Sequence, residues 1–430
     1  MVEPVLDLAS ATKTDHALVH PRGCIGMIVY EWSRIHMGGS IRAITFARVL
    51  ARRGWRLEVF TASPPEEWPE AVKEVTVHHI PSRERSYGGG ISVDHGRGEL
   101  GGNPAWLRAL SGLKRLLPLE RQLAWYPEFW RTVPDLCRAA GVDRVLTIVA
   151  PNVMMPLGHR LSGRLKVPHV IDLRDDFADR HAVEPITRSY QRLLNTYGQY
   201  YLRRASAVTV VSPVTRNRLH ALNIPATVVM NGYVEDHFAG VKWAAPAARP
   251  GGPLRVLHLG WLGDFRSIEP LLAAVSGLAN SEDVRIDQYG FIDPRQAQLL
   301  ADAACQTEIH PQVPHSEAIR LMQEADVLLA IPGDRVPAAM TGKLFEYFRS
   351  RRPVLLVTGQ GAARELGQTA GMRYLCDPGN IAGLQRTIEE MMAAKAAGML
   401  HTESDPAFVR TLDREIGAER MDVVLGEVAA

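Results

Sequence analysis

The chain has 430 residues, and since a domain typically spans ~100–200, two domains are the simplest expectation. Apolar residues make up 46% and charged residues 22%, which excludes bulk disorder and allows a large core in each half. With 49 basic against 47 acidic residues the net charge is +2, which excludes a protein whose main business is coating nucleic acid or an anionic membrane and leaves only a local basic site as a route to such a partner.

Residues 1–23 lack the basic start and unbroken apolar stretch of a secretory signal and read as an extension. No run approaches the ~18 consecutive apolar residues of a spanning helix. Cys24, Cys137, Cys305 and Cys376 are scattered, without C-x-x-C spacing, and read as small core residues in a reducing cytoplasm.

Short β-branched runs then alternate with helical patterns: "CIGMIVY" at 24, "RLEVFTA" at 56, "RVLTIVA" at 144, "HVIDL" at 169, "AVTVVS" at 207 and "ATVVMNG" at 226. The Pro- and Gly-rich stretch 239–253 reads as a linker, so a first domain is expected at 24–240. The alternation resumes with "LRVLHLG" at 254, "VRIDQYG" at 284, "TEIHPQV" at 307, "DVLLAI" at 326, "PVLLVT" at 353 and "RYLCD" at 373, giving a second domain at 253–404. Both read as α/β domains, parallel sheets wrapped by helices. Residues 405–430 place Phe408, Leu412 and Ile416 at one helical spacing and are expected to pack back on the first domain. Paired sheets of this kind bind ligands at the carboxyl ends of their strands, so the crevice between the domains is the expected site.

Several stretches place polar groups there. After the first strand, Gly38 and Gly39 read as a turn with Ser40 capping a helix to Arg53, so backbone N–H groups could approach an anion. A plain strand-to-helix connection explains the same glycines. In "TGKLFEYFRSRRPVLLV" Thr341 can cap a helix starting at Gly342, with Leu344, Phe345 and Phe348 on its buried face. Lys343 and Glu346, at i and i+3, are either a solvated ion pair or, given a nucleotide ligand, a diphosphate clamp and a ribose acceptor. "VIDLRDDFADR" ends a strand with Asp172, Arg174, Asp175 and Asp176, readable as cleft groups or as a helix cap and its ion partner; no His or Glu accompanies them at useful spacing, so a metal is not expected. Arg266, after Gly260 and Gly263, could neutralise phosphate oxygens or be an exposed first-turn residue. The amphipathic run within 103–130, chiefly 103–117, could rest on a membrane surface, although such helices more often pack on a core. The glycine-rich 86–102 reads as a loop over the cleft.

The order of "GGSIRAITFARVLARRGW", "PHVIDLRDDF", "ASAVTVVSPVTRNRLHALNIPATVVMNGY", "VLHLGWLGD", "HSEAIRLMQEADVLLAI" and "TGKLFEYFRSRRPVLLV" resembles retaining glycosyltransferases of the GT-B fold, family 4 type, over about residues 24 to 425. The resemblance implies two Rossmann-like doubly wound domains facing a central cleft. It implies transfer of a sugar from a nucleotide diphosphate to an acceptor hydroxyl with retention of configuration, with no cofactor and no metal. The donor would lie on Gly260, Arg266, Thr341, Gly342, Lys343 and Glu346, with Gly38 and Gly39 facing its phosphates. Lys343, Arg174 and Asp175 would be catalytic, the last two orienting the acceptor. The acceptor would be a glycan, a lipid-linked molecule or a small molecule, and the enzyme cytoplasmic, with any membrane contact peripheral and at the inner face.

The chain departs from the family's commonest pattern in three places: Ala338 stands where a first glutamate often faces the sugar, a frequent Arg and Lys pair is reduced to Trp261 and Arg266, and Arg174 next to Asp175 stands where many members show a histidine at the cleft. A nucleotide-sugar epimerase of the same architecture, or a non-catalytic nucleotide-sugar or glycan-binding homologue, therefore stand as alternatives.

Overall fold

The computed structural model describes residues 22–33, 37–82, 121–175, 188–242, 250–263, 265–333, 336–338 and 340–428. Residues 1–21, the loop 86–102, the candidate membrane segment 103–117 and Asp176 fall outside the described residues.

The first sheet has seven parallel strands in the order β3-β2-β1-β4-β5-β6-β7: β1 (Gly23–Ile28), β2 (Trp55–Thr61), β3 (Val75–His79), β4 (Arg144–Val149), β5 (His169–Leu173), β6 (Ala207–Val210) and β7 (Thr227–Val228). Strands β4 and β5 are buried at every residue, as continuous apolar runs covered on both faces should be. One face packs Ile25, Met27 and Leu57 against Ala43, Ala47 and Leu50 of α1 (Met37–Arg52). The other packs Ile28, Phe60 and Val145 against Phe129, Val133 and Cys137 of α2 (Tyr126–Ala140) and Leu157 and Leu161 of α3 (Met154–Leu165). Helices α4 (Arg188–Leu202) and α5 (Pro213–Ala221) complete this lobe. Trp125 and Phe129, at the end of the amphipathic 103–130 run, are core residues.

The second sheet has six parallel strands in the order β10-β9-β8-β11-β12-β13: β8 (Leu254–Leu259), β9 (Val284–Tyr289), β10 (Gln306–His310), β11 (Val327–Ala330), β12 (Val354–Val357) and β13 (Leu375–Cys376). It is wrapped by α6 (Glu269–Ser276), α7 (Pro294–Ala301), α8 (His315–Glu324), α9 (Gly342–Ser350), α10 (Ala362–Thr369) and α11 (Ile381–Ala396). Cys24, Cys137 and Cys376 are buried free thiols, and burial pushes the Cys137 thiol up to about 12, so these cysteines are inert packing groups.

The chain end corrects one expectation. Instead of one helix carrying Phe408, Leu412 and Ile416 on a single face, there are two, α12 (Pro406–Arg410) and α13 (Arg414–Glu427), broken where the Asp413 carboxylate accepts the N–H of Glu415 at 3.0 Å. Val409 and Leu412 join the core of the second lobe, whereas Met421, Val424 and Leu425 of α13 join the first lobe's core beneath α1.

The chain thus crosses between lobes twice, and the crossings touch. Tyr233 pairs in parallel with Asp413, and the Arg414 guanidinium donates to the Gly232 carbonyl at 2.7 and 3.1 Å. Arg349 of α9 forks onto the Glu235 carboxylate at 2.5 and 2.7 Å. A Cβ at Gly232 would lie 2.2 Å from the Leu412 carbonyl oxygen and 2.7 Å from the Arg414 nitrogen, both backbone atoms held by this pairing. Gly232→Ala should therefore destabilise the fold by about 1–3 kcal/mol. An unchanged denaturation midpoint would show that the crossings are not tightly joined.

Candidate active site

In the second sheet the strand order reverses between β8 and β11, the topological switch point at which open α/β sheets bind ligands. A hollow opens there. It is lined by His258, Gly260, Trp261, Ile331, Thr341 and Lys343, among others, so it joins the carboxyl ends of β8 and β11 to the amino end of α9. Gly260 occupies φ +145°, a region that favours glycine, and its carbonyl accepts from Gln288 at 2.9 Å. His258 meets Gln288 at 2.5 Å, and burial drives its pKa down to about 4, so a neutral imidazole borders the hollow.

The start of α9 is unobstructed. Thr341 occupies the N-cap position, but its side chain makes no capping hydrogen bond, which corrects the expectation that it caps the helix. A Cβ built on Gly342 meets nothing within 4 Å and Gly342 is exposed, so no side chain covers the helix start at that position. The Lys343 Nζ donates to Glu346 Oε2 at 2.9 Å, the local ion pair that the spacing allowed, and His315 at the head of α8 bonds Glu346 Oε1 at 2.8 Å. The Glu346 side chain is 16% exposed. Burial alone would raise its pKa, but the bond to His315 and the charge of Lys343 overcome that and hold it at about 2. No local pattern marks His315 as a partner, because 31 residues separate it from Glu346.

Because that pKa is depressed in the folded state, the charged carboxylate adds stability that is complete above the ordinary carboxylate range near ~4.3 and vanishes as pH falls through about 2. The stability gap between wild type and Glu346→Gln should be on the order of 3 kcal/mol near neutrality and close progressively between those values. A gap independent of pH in acid melts would rule out this electrostatic account.

Arg266 is half-buried, with its pKa lowered by burial; it donates Nε to the Pro332 carbonyl at 3.3 Å and lies 5.4 Å from the Phe265 ring centroid. It is a packed cation at the rim of the hollow and not an exposed first-turn residue. Trp261 stacks edge-on with Phe265, and Ala338 is buried.

In the first lobe, Arg174 and Asp175 follow the carboxyl end of β5, with Arg174 Nε 3.3 Å from Asp175; the arginine is half-buried and the aspartate exposed. Asp172, grouped with them in the sequence, is fully buried and unavailable to a ligand: its two oxygens accept from Arg42 of α1 at 2.7 and 2.8 Å, and one also accepts from Thr209 at 2.6 Å. Arg42 further donates to the carbonyls of Val229 and Met230 and to Asn231, so it ties β5 to the chain leading into the crossing. Gly38 and Gly39 lie in the first turn of α1 and not in a turn before it. Ser40 is correspondingly no N-cap: its hydroxyl accepts from Ser33 N–H at 3.0 Å and donates to the Glu31 carbonyl at 3.2 Å.

This architecture spans nearly the whole of several solved structures. Sucrose-phosphate synthase from Thermosynechococcus elongatus matches with a TM-score of 0.62 at 15% identity, over 94% of this chain and 98% of that one. A glycosyltransferase from Rickettsia africae matches with 0.61 at 14% over 94% and 98%, and Anabaena HepE in complex with UDP-glucose with 0.59 at 14% over 94% and 99%. No curated protein sequence matches the chain significantly. Residues 37–237 match the family model of Glycosyltransferase Family 4. The chain has a GT-B fold, and its first lobe is similar to that family.

Within this GT-B frame the described residues include two groups with metal-ligand spacing, His237, His315 and Glu346, and Asp287, Glu308 and His310. In each a cation already compensates a carboxylate, Lys343 at Glu346 and Arg285 at both Asp287 and Glu308. A larger concavity lies between α4 and β7, lined by Leu202, Ser206, His220 and Thr227. It sits by the amino ends of the strands, away from the switch point, and Arg203 is the one arginine, lysine or carboxylate in its lining, so the hollow at α9 is the better site.

Proposed function

We propose that the protein transfers a sugar from a nucleotide diphosphate donor to an acceptor hydroxyl, with retention of anomeric configuration, in the cytoplasmic synthesis of a glycan or glycosylated natural product. The observation that carries this reading is the open amino end of α9 at the β8–β11 switch point, with Lys343 beside it and an ionised Glu346 one turn on.

Departure of a nucleoside diphosphate puts charge on its phosphates and leaves an oxocarbenium-like sugar. Helix N–H groups and the Lys343 ammonium, fixed before the reaction, stabilise that leaving group more in the transition state than in the bound donor. Glu346 accepts from the ribose hydroxyls, which replace part of its bonding to His315 and Lys343. Gly260 allows the sugar side of the donor a close approach to backbone, Arg266 adds positive potential, and the first turn of α1, with Gly38 and Gly39, faces the phosphates from the opposite lobe. Arg174 and Asp175 orient the acceptor, and closure of the lobes excludes water that would hydrolyse the donor. No metal is required in this scheme.

The Anabaena structures hold UDP or UDP-glucose, which makes uridine compounds the first members of a test panel. Thermal-shift screening against nucleoside diphosphates and their sugars tests the proposal directly. A ligand present at a hundred times its Kd raises stability by about 2.7 kcal/mol. Turnover with the stabilising donor and an acceptor pool should then give a product whose anomeric configuration, read by NMR, equals the donor's. A flat response across the panel refutes a nucleotide site, and an inverted product refutes retention.

A further inference from the structure

Charge is spread unevenly over the first lobe. Residues 144–171 and 185–234, on either side of the segment 172–184 that holds Asp172, Asp175, Asp176, Asp179 and Glu184, contain ten arginines and lysines and no aspartate or glutamate, in a chain whose 47 acidic residues nearly balance its 49 basic ones. A stretch of that length at the chain's average would carry several carboxylates. Within it α3 and α4 lie side by side: His159 of α3 meets Tyr200 and Tyr201 of α4 edge-on, at 6.4 and 5.5 Å between centroids. Arg160, Arg164 and Lys166 on and after α3, and Arg192, Arg203 and Arg204 on and after α4, are exposed, and none of the six pairs with a carboxylate among the described residues. Leu193 and Tyr200, seven positions apart and therefore on one face of α4, are 42% and 47% exposed. The Arg204 guanidinium carbon sits 3.7 Å from the Tyr200 ring centroid.

Unpaired cations repel one another until a partner supplies anions, and an exposed leucine beside a tyrosine gains only from a partner with an apolar interior. A bilayer with anionic headgroups meets both requirements, whereas a nucleic acid meets the first alone. We propose that the α3–α4 flank docks on an anionic phospholipid surface. The arginines and lysine face the headgroup phosphates, an attraction that decays within a Debye length, while Tyr200 and Leu193 seat at the boundary between headgroups and acyl chains. Helices in parallel α/β units run antiparallel to their strands, so Arg164, Lys166, Tyr200, Arg203 and Arg204, at the carboxyl ends of α3 and α4, lie on the side of the lobe away from the cleft, and docking there leaves the cleft mouth unobstructed. This surface is distinct from the donor hollow, and the proposal does not depend on the chemistry there.

Vesicle sedimentation of the full chain tests it without any nucleotide. The protein should sediment with vesicles of equal parts phosphatidylglycerol and phosphatidylcholine, stay in solution with phosphatidylcholine alone, and be released by salt. The variant Arg160→Glu, Arg192→Glu, Arg203→Glu should partition about a hundredfold less or weaker still, and Leu193→Ser with Tyr200→Ser about tenfold less at unchanged charge. All five side chains are exposed, so both variants should melt as the wild type does. Equal binding to the two vesicle types, or wild-type binding by the arginine variant, overturns the proposal. So does binding to heparin or RNA as tight as to vesicles and indifferent to the Leu193 and Tyr200 changes, which would make the flank a general polyanion surface. A nucleotide thermal shift on the same preparation reports the donor site separately, so failure of one reading leaves the other standing.

Discussion

Lys343→Ala should lower kcat by about 10²- to 10³-fold, the loss expected when one preorganised group aimed at a developing charge is removed. The same change should barely alter the melting temperature. Its side chain is one-third exposed, so solvent screens its share of the pull on the Glu346 carboxylate. Glu346 keeps its bond to His315, so the carboxylate stays positioned. Activity lost with stability retained is the signature of a leaving-group contact. If kcat and the affinity for a nucleoside diphosphate both survive in Lys343→Ala, the diphosphate does not sit at the start of α9. Equal falls in activity and melting temperature would instead assign Lys343 a structural role.

The opposite pattern is expected of Asp172. Its removal leaves the Arg42 guanidinium, with a side chain only 2% exposed, without its counter-charge. Breaking one side of a buried pair costs about 3–5 kcal/mol, so Asp172→Ala should unfold at a much lower denaturant concentration. Thr209 loses its acceptor as well. The joint variant Arg42→Met with Asp172→Leu should recover much of the loss, because it removes both desolvated charges at once. Should the single and joint variants be equally unstable, packing around the pair and not its charge would be what holds β5 to α1.

These two sites show what the sequence made legible. The strands announce themselves because parallel strands covered on both faces read as continuous apolar runs, as in "RVLTIVA" and "HVIDL". Strand β3 escapes because it lies at the sheet's edge, paired on one side with β2, and none of its residues is fully buried. Lys343 and Glu346 are visible as a pair because one helical turn joins them. The partner of Asp172 lies 130 residues earlier, on α1, so a carboxylate at a strand end could be read as a cleft group when it is a structural one. The break between α12 and α13 did carry a local signal, an aspartate followed two residues later by glutamate, but the apolar spacing of Phe408, Leu412 and Ile416 continued through it and favoured a single helix. His315 and Arg266 needed coordinates, since burial and distant backbone contacts decide what each does.

The two chain passages between the lobes, at Tyr233 and at Asp413, run alongside each other in register, with the Arg414 amide donating to the Tyr233 carbonyl at 2.9 Å. A body hung from one flexible thread can swing and spin in any direction. Hung from two threads stitched together, it keeps little beyond a swing about the line they share. Any relative movement of the lobes would therefore be steered along a nearly fixed arc, and side chains carried by different lobes, Arg174 on one and Lys343 on the other, would keep to one line of approach.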